Sequence, residues 1–380
     1  MNIDTWYRDH FEHKLKGRYI TMQHIYPLLD MYKSNYEISV PGLSELGVDL
    51  PLVKVGNGPK IVLGWSQMHG NESTTTKSLF DFLKFVGQKS TFQKEIESFL
   101  NNYSFYFFPI LNPDGARRYT RENANGVDLN RDAAMRSQKE SQCLRQVFDR
   151  LKPVLCLNLH DQRSIYGFGD GKPATVSFLA PAANPQRLVT EARQYAMAQI
   201  VKMNGYLQQF IPGQIGRYDD SFNEACVGDT FQKLGVPTIL FEAGHYTQDY
   251  QREKTREFVF YALLSLFDLV PQSTKVNYRA YFNIPENLKN YNDILLRNVC
   301  LGEKAPCVSV AVQYEEVLEA DKIKFIPRVD EIGSLKSRVG HLEVNFAGKE
   351  ILKNAQEKLT VGSNVSEIFD KNDISLNFFQ

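Results

Sequence analysis

Between residues 60 and 270, short apolar runs alternate with longer stretches of helical spacing, and three of the runs stop directly or within four residues before a histidine or a carboxylate. Alternation of this kind predicts an α/β domain with a mixed, largely parallel central sheet flanked by helices. Four runs read as strands: Ile61–Trp65 ahead of His69, Phe105–Ile110 ahead of the turn Asn112-Pro-Asp-Gly115, Val154–Leu159 ahead of His160, and Thr238–Phe241 ahead of Glu242. Stretches 73–86, 133–151, 184–203 and 248–269 are expected as helices, with 248–269 the clearest. In open α/β sheets ligands bind at the carboxyl ends of strands, so His69, His160 and Glu242 are expected on one rim.

A chain of 380 residues exceeds what one hydrophobic core usually serves, which predicts one large and one small domain. After Pro271-Gln-Ser-Thr-Lys275 the character changes, and runs such as Val308–Gln313 and His341–Phe346 suggest strands. The expected division is therefore a larger domain, 1–272, and a small, mostly β C-terminal domain, 273–380. Lys plus Arg and Asp plus Glu both number 44 and are interspersed, so neither a nucleic-acid nor a membrane surface is expected. The partner expected instead is a peptide or a small molecule. Charges occupy the first ten residues where a signal peptide needs an apolar core, and no run reaches the roughly 20 apolar residues of a membrane span. The expectation is a cytoplasmic protein.

The five cysteines, at 143, 156, 226, 300 and 307, form no Cys-x-x-Cys pair, which argues against a disulfide framework and a thiolate zinc site. Any metal ligands must then be nitrogen and oxygen. In Trp65-Ser-Gln-Met-His69-Gly-Asn-Glu72 an imidazole and a carboxylate three apart can hold one zinc if the backbone turns between them, and Gly70 is expected to supply that freedom. Hydrolytic zinc takes three protein ligands and keeps a fourth position open, a count that His69, Glu72 and His160 meet. Taken singly, His160 reads as a core histidine and Glu72 as a first-turn acid favoured by the helix dipole. Glu242, at a semi-apolar strand end, suits a general base because desolvation raises its pKa. A competing reading makes Glu242 and His245 the ligands, with His341 a further candidate. The long loop 112–132 adds arginines suited to stabilising an oxyanion or gripping a carboxylate, although Arg117 and Arg118 also fit a solvated turn.

In this order, His69-x-x-Glu72, Asn112-Pro-Asp-Gly115, Asp128-x-Asn130-Arg131, a strand-end His160 and a strand-end Glu242 resemble the zinc carboxypeptidase family of metallopeptidases, over roughly residues 40–270. The resemblance implies a zinc-carboxypeptidase-like fold and one zinc per chain, held by His69, Glu72 and His160. It implies a metallocarboxypeptidase that hydrolyses a peptide amide bond next to a terminal carboxylate through a zinc-activated water, with Glu242 as general base. Arg121 matches the arginine that polarises the scissile carbonyl, Asn130 and Arg131 the pair that holds the terminal carboxylate, and Asp128 the acid that hydrogen-bonds the first histidine. An exopeptidase follows if Arg131 is a buried guanidinium that only a free carboxylate satisfies. Tyr218 is the candidate for the substrate-capping tyrosine, and Val227 and Asp229 are candidates to line a specificity pocket. Departures from the family are Asp132 after the Asn-Arg pair and Asp161-Gln-Arg163 after the third ligand. The alternatives are a zinc deacylase of N-acyl amino acids, similar to aspartoacylase-type enzymes, and a non-catalytic binding module.

Overall fold

In the computed structural model, which describes residues 2–88, 91–271, 276–302, 305–353, 359–365, 367–370 and 375–377, the apolar runs become strands separated by helices. In chain order the elements are α1 (Ile3–His10), α2 (Met22–Tyr32), β1 (Glu37–Leu43), β2 (Asp49–Val55), β3 (Lys60–Ser66), α3 (Thr74–Val86), α4 (Gln93–Asn102), β4 (Tyr103–Phe108), α5 (Pro113–Arg118), α6 (Lys139–Leu151), β5 (Leu155–Asp161) and β6 (Tyr166–Gly167). There follow β7 (Val176–Leu179), α7 (Glu191–Leu207), β8 (Ile215–Arg217), α8 (Val227–Lys233), β9 (Thr238–Ala243) and α9 (Glu253–Leu266). The remainder is β10 (Leu288–Lys289), β11 (Tyr291–Val299), β12 (Val308–Glu319), β13 (Lys322–Gly333), β14 (Val339–Asn345), β15 (Ile351–Lys353), β16 (Glu367–Asp370) and β17 (Ser375–Asn377). The chain forms two compact units, Met1–Gln162 with Ala174–Asn287, and Arg163–Pro173 with Leu288–Gln380. The expected boundary at 272–273 lies outside the described residues. Residues 276–287 belong to the first unit, where the Tyr281 hydroxyl accepts from the Ala180 N–H at 3.2 Å.

The first unit is built on an eight-stranded sheet in the order β1-β2-β4-β3-β5-β9-β7-β8. Its centre is parallel, β4 with β3, β3 with β5 and β5 with β9, whereas β2 joins β4 and β7 joins β9 antiparallel. The sheet is therefore mixed and largely parallel at its centre, as the alternation predicts. Side chains on a strand alternate between faces. On β5, Leu155, Leu157 and Leu159 enter the core that includes Leu79 and Phe82 of α3 and Val259 and Leu263 of α9; Cys156 enters the other core, with Leu144 and Val147 of α6 and Phe231 of α8. Burial on both faces explains why this strand reads as a nearly unbroken apolar run.

Three helices begin later than their apolar spacing suggests: α7 starts at Glu191 rather than 184, capped by Thr190, and for the other two a carboxylate organises the preceding turn. Asp132 accepts from the N–H groups of Ser137 and Gln138 at 2.9 and 3.0 Å, so α6 starts at Lys139 rather than 133. Asp249 accepts from the N–H groups of Glu253, Lys254 and Thr255 at 2.8 to 3.0 Å, so α9 starts at Glu253 rather than 248. The stretch read as one long loop, 112–132, holds α5 and a 3-10 turn at Leu129–Arg131.

The second unit contains a four-stranded sheet, β13-β12-β11-β14, a three-stranded sheet, β15-β16-β17, and the pair β10-β6. Ile294, Leu296, Val310, Val312 and Val329 form much of its core. It is the mostly β element that the tail sequence suggests. Cys143 and Cys156 are buried core residues, but Cys300 and Cys307 of this unit are not, and their sulfurs lie 3.2 Å apart. Among the described residues no helix is long and apolar enough to cross a membrane.

A buried ion pair ties α3 to α9 and to the N-terminal segment. Arg256 donates from Nε and Nη2 to the two oxygens of Asp81, each at 2.6 Å, and from Nη1 and Nη2 to the carbonyls of Leu15 and Glu12. Both side chains are fully buried. Removing one partner strands the other charge, so Arg256→Met is expected to cost about 3–5 kcal/mol. Urea unfolding of wild type and variant measures this; an unchanged midpoint refutes it.

Candidate metal centre

The parallel register sets the site. Trp65 of β3 pairs with Asn158 of β5, and His160 of β5 pairs with Glu242 of β9, so three strand ends lie side by side. His69 and Glu72 sit on the turn that leaves β3 and enters α3. That turn is made by Gln67, whose φ of 51° is left-handed. Its side chain fixes the conformation, with Nε2 donating to the carbonyls of Ile20 and Gly70 and Oε1 accepting from Thr76. Gly70 serves a different purpose from the one expected: a Cβ there would lie 2.1 Å from the backbone of Gly115, so what it permits is close approach to α5 rather than an unusual φ.

Asn112 locks that approach. Its Nδ2 donates to the Met68 carbonyl at 3.1 Å and the Arg121 carbonyl at 3.4 Å, while Oδ1 caps α5 through the Gly115 N–H at 2.8 Å. The loop that carries Arg121 is thereby fastened to the loop that carries His69.

At the centre, His69 Nδ1 lies 2.8 Å from Glu72 Oε1, His160 Nδ1 lies 2.8 Å from Glu72 Oε2, and the two Nδ1 atoms are 3.0 Å apart. Among the described residues, these three side chains form the group of histidine, cysteine and acidic donors able to hold a metal ion. His69 Nε2 lies 3.0 Å from Asp128 Oδ1. An ionised carboxylate only accepts, so Nε2 carries the proton. Arg121 Nη1, which can only donate, lies 3.2 Å from Nδ1, so Nδ1 presents its lone pair. A lone pair facing a carboxylate oxygen at 2.8 Å is repulsive unless positive charge stands between them. Two imidazole nitrogens and a carboxylate so arranged fit zinc in both chemistry and number.

Protonation preferences follow from the same contacts. Burial pushes the Glu72 carboxyl up, but the His69 and His160 imidazoles beside it hold it well below the usual carboxylate range. Burial pushes Asp128 up too, and its hydrogen bond to His69 and the Arg121 cation outweigh that, so it stays well below its usual value. For His69 burial disfavours the cation, yet Glu72 and Asp128 raise its proton affinity overall, whereas burial prevails at His160 and lowers it.

Asp128 does more than orient one histidine. Oδ1 also accepts from the Asn130 N–H at 2.8 Å, and Oδ2 accepts from Nε and Nη2 of Arg121 at 3.0 and 2.9 Å. One carboxylate thus joins His69, Arg121 and the Asn130–Arg131 turn. Asn130 Oδ1 accepts from the N–H of Val227 at 3.3 Å, which brings the start of α8 to the same turn. Asp229, buried on α8, has its carboxyl pushed up to about 6 by burial, against the pull of Arg131 and other donors. Arg131 itself is exposed, not buried as the exopeptidase argument assumed, and its Nη1 donates to the Asn130 carbonyl at 3.1 Å.

Glu242 stands beside His160 in register and beside Ser177 of β7. Burial raises its pKa well above the ordinary value, and Glu72 and Asp161 add to the shift against Arg121 and Arg252. Tyr218 follows directly on β8, which the sheet order separates from β9 by β7, and its N–H donates to the Phe178 carbonyl at 3.0 Å. The rival ligand candidates have other ring neighbours: His245 is buried against Tyr250, and His341, in the second unit, is tilted against Tyr291. Neither is in the three-donor group. Asp161, a departure from the family pattern in sequence, also reaches the site: its N–H donates to Glu72 Oε2 at 3.1 Å.

Residues 21–145 match the family model described as zinc carboxypeptidase, a span that includes His69, Glu72, Arg121, Asp128, Asn130 and Arg131 and ends before His160 and Glu242. A probable carboxypeptidase 2 of Arthroderma benhamiae and a carboxypeptidase 2 of Trichophyton tonsurans are each 27% identical over 110 residues, 28% of this chain and 20% of the relative. The matched part is thus about a fifth of those relatives' length. In fold, the chain is similar to a metallo-carboxypeptidase from Burkholderia cenocepacia, with a TM-score of 0.54 and 14% identity over 66% of this chain and 70% of that one. It is also similar to bovine thrombin-activatable fibrinolysis inhibitor in complex with tick carboxypeptidase inhibitor, with a TM-score of 0.53 and 16% identity over 66% of this chain and 96% of that one. Over residues 21–145 the chain is thus similar to zinc carboxypeptidases, and its fold is similar to that of metallo-carboxypeptidases.

Proposed function

We propose that this protein is a zinc-dependent metallocarboxypeptidase that hydrolyses a peptide amide bond next to a terminal carboxylate. The observation that carries the proposal is the convergence of His69 Nδ1, His160 Nδ1 and both Glu72 oxygens, with the His69 tautomer fixed by Asp128. His69, Glu72 and His160 are the residues to hold zinc, which when bound supplies Lewis acidity toward the scissile carbonyl and makes water acidic enough to be deprotonated near neutral pH.

The chain's own groups divide the remaining work. Glu242 takes the proton of the attacking water and later returns it to the leaving amine nitrogen. Arg121, held by Asp128, donates to the oxyanion that develops on the carbonyl. Asn130 and Arg131 receive the terminal carboxylate, where a guanidinium can bind bidentately. Tyr218 is the candidate to cover the bound substrate, and Val227 and Asp229 are the candidates to line a specificity pocket.

Zinc stoichiometry, measured together with hydrolysis of a panel of peptides bearing free and amidated C-termini, tests the proposal. Zinc-loaded protein that cleaves no member of the panel would overturn it. Glu242→Gln should lower kcat by about 10²–10⁴-fold and leave zinc bound. Because a base acts only when ionised and burial raises this one, kcat/KM should fall on acidification through a pH above the ordinary glutamate range. A pH–rate profile without that acid limb contradicts the assignment.

Arg131→Ala should weaken kcat/KM for free C-termini by roughly 10- to 100-fold, the loss of a charged hydrogen bond, and leave slow cleavage of amidated peptides unchanged. Equal losses on both substrate classes would show that Arg131 does not grip the carboxylate. Asp128→Ala, which removes the acceptor that fixes the His69 tautomer, should cost about 10- to 100-fold in zinc affinity, read by chelator competition.

A further inference from the structure

We infer that Asp161 is a positioning residue that fastens the Glu72 end of the metal loop to the strand carrying His160, an inference that rests on the metal-site reading above. The start of α3 makes the case. This helix opens at Thr74, two residues after Glu72, and its N-cap, Ser73, makes no side-chain cap. The Ser73 hydroxyl is committed elsewhere and donates to the Arg18 carbonyl at 2.5 Å. The first N–H groups of a helix need acceptors from outside the helix.

Asp161 supplies one. Its Oδ2 accepts from the Thr74 N–H at 3.2 Å and from the Thr74 hydroxyl at 2.6 Å. A carboxylate at a helix N-terminus is favoured by the helix dipole. The N–H of the same residue donates to Glu72 Oε2 at 3.1 Å, the oxygen that also faces His160 Nδ1.

Asp161 is itself fixed, because it ends β5 in register with Ala243 of β9. Arg252 braces that pairing, donating to the carbonyls of Ala243 and Gln162 at 2.7 and 2.9 Å. Successive side chains on a strand point to opposite faces. His160 therefore faces the donor cluster while Asp161 reaches the start of α3. The loop bearing His69 and Glu72 is thus held at its beginning by Gln67 and at its end by Asp161. The spacing between Glu72 and His160, nearly ninety residues apart in the chain, depends on this residue.

The test compares wild type, Asp161→Ala, Asp161→Asn and Thr74→Val, all as the full chain. Zinc affinity is measured by competition with a chromogenic chelator, and melting of the metal-free proteins is recorded in parallel. Asp161→Ala should weaken zinc binding by roughly 10- to 100-fold, as the loss of an outer partner of a metal site does. Asp161→Asn, whose amide oxygen can still accept from Thr74, should recover most of that loss. A residue with only a structural role would lower the melting temperature of the metal-free protein without that loss and rescue of zinc affinity. Zinc affinity of Asp161→Ala equal to wild type, or an Asn variant no better than the Ala variant, overturns the inference. If Asp161→Ala does not fold, Thr74→Val decides, and an unchanged zinc affinity there overturns the inference as well. Wild type that binds no zinc overturns the metal-site reading and this inference with it, whereas equal binding by wild type and Asp161→Ala overturns this inference alone.

Discussion

The parallel register of β3, β5 and β9 is the constraint on which the site depends. Parallel strands joined by helical crossovers end on the same edge of the sheet, and pairing of Leu159 with Phe241 and His160 with Glu242 makes neighbours of groups more than eighty residues apart. A one-residue slip of β9 would send Glu242 to the opposite face and its carboxylate into the apolar core. The apolar residues on the two faces of β5 oppose that slip, since each is matched to a separate core. The energy that builds the sheet thus also fixes the chemistry at its rim.

Once the strand ends are aligned, electrostatics organises the rest. His69, Glu72 and His160 are buried, and buried charge persists only where partners compensate for lost hydration. Glu72 is compensated by the two imidazoles, and Asp128 ties in the neighbouring groups: its two oxygens receive the His69 imidazole, a guanidinium and the backbone of the turn that presents Asn130 and Arg131. His69, Arg121 and the turn of Asn130 and Arg131 are therefore mechanically linked. Glu242, by contrast, is governed by burial, which raises its proton affinity well above the ordinary value against the pull of Arg121 and Arg252.

Much of this was legible in the sequence because it is written in local patterns. The apolar runs located the strands, the position of His160 and Glu242 directly after such runs located the rim, and the order of the motifs pointed to the family. What local pattern misreported has identifiable causes. Gly70 looked like a turn residue, but the turn belongs to Gln67 and the glycine makes room for α5. The starts of α6 and α9 were misplaced because Asp132 and Asp249 draw backbone N–H groups away from the helices' earlier residues. Arg131 looked buried by analogy and is exposed.

By itself the sequence determined the fold class, the mostly β character of the tail and the residue types available for metal and proton chemistry, since periodicity and side-chain chemistry are properties of short segments. Only the tertiary structure decided which atoms meet: that both histidines turn Nδ1 toward Glu72, that Asp128 serves three partners, and that Asp161 caps α3 where Ser73 does not. Such contacts join residues remote in the chain. They depend on sheet register and on competition among neighbouring donors for each acceptor, neither of which a linear pattern specifies.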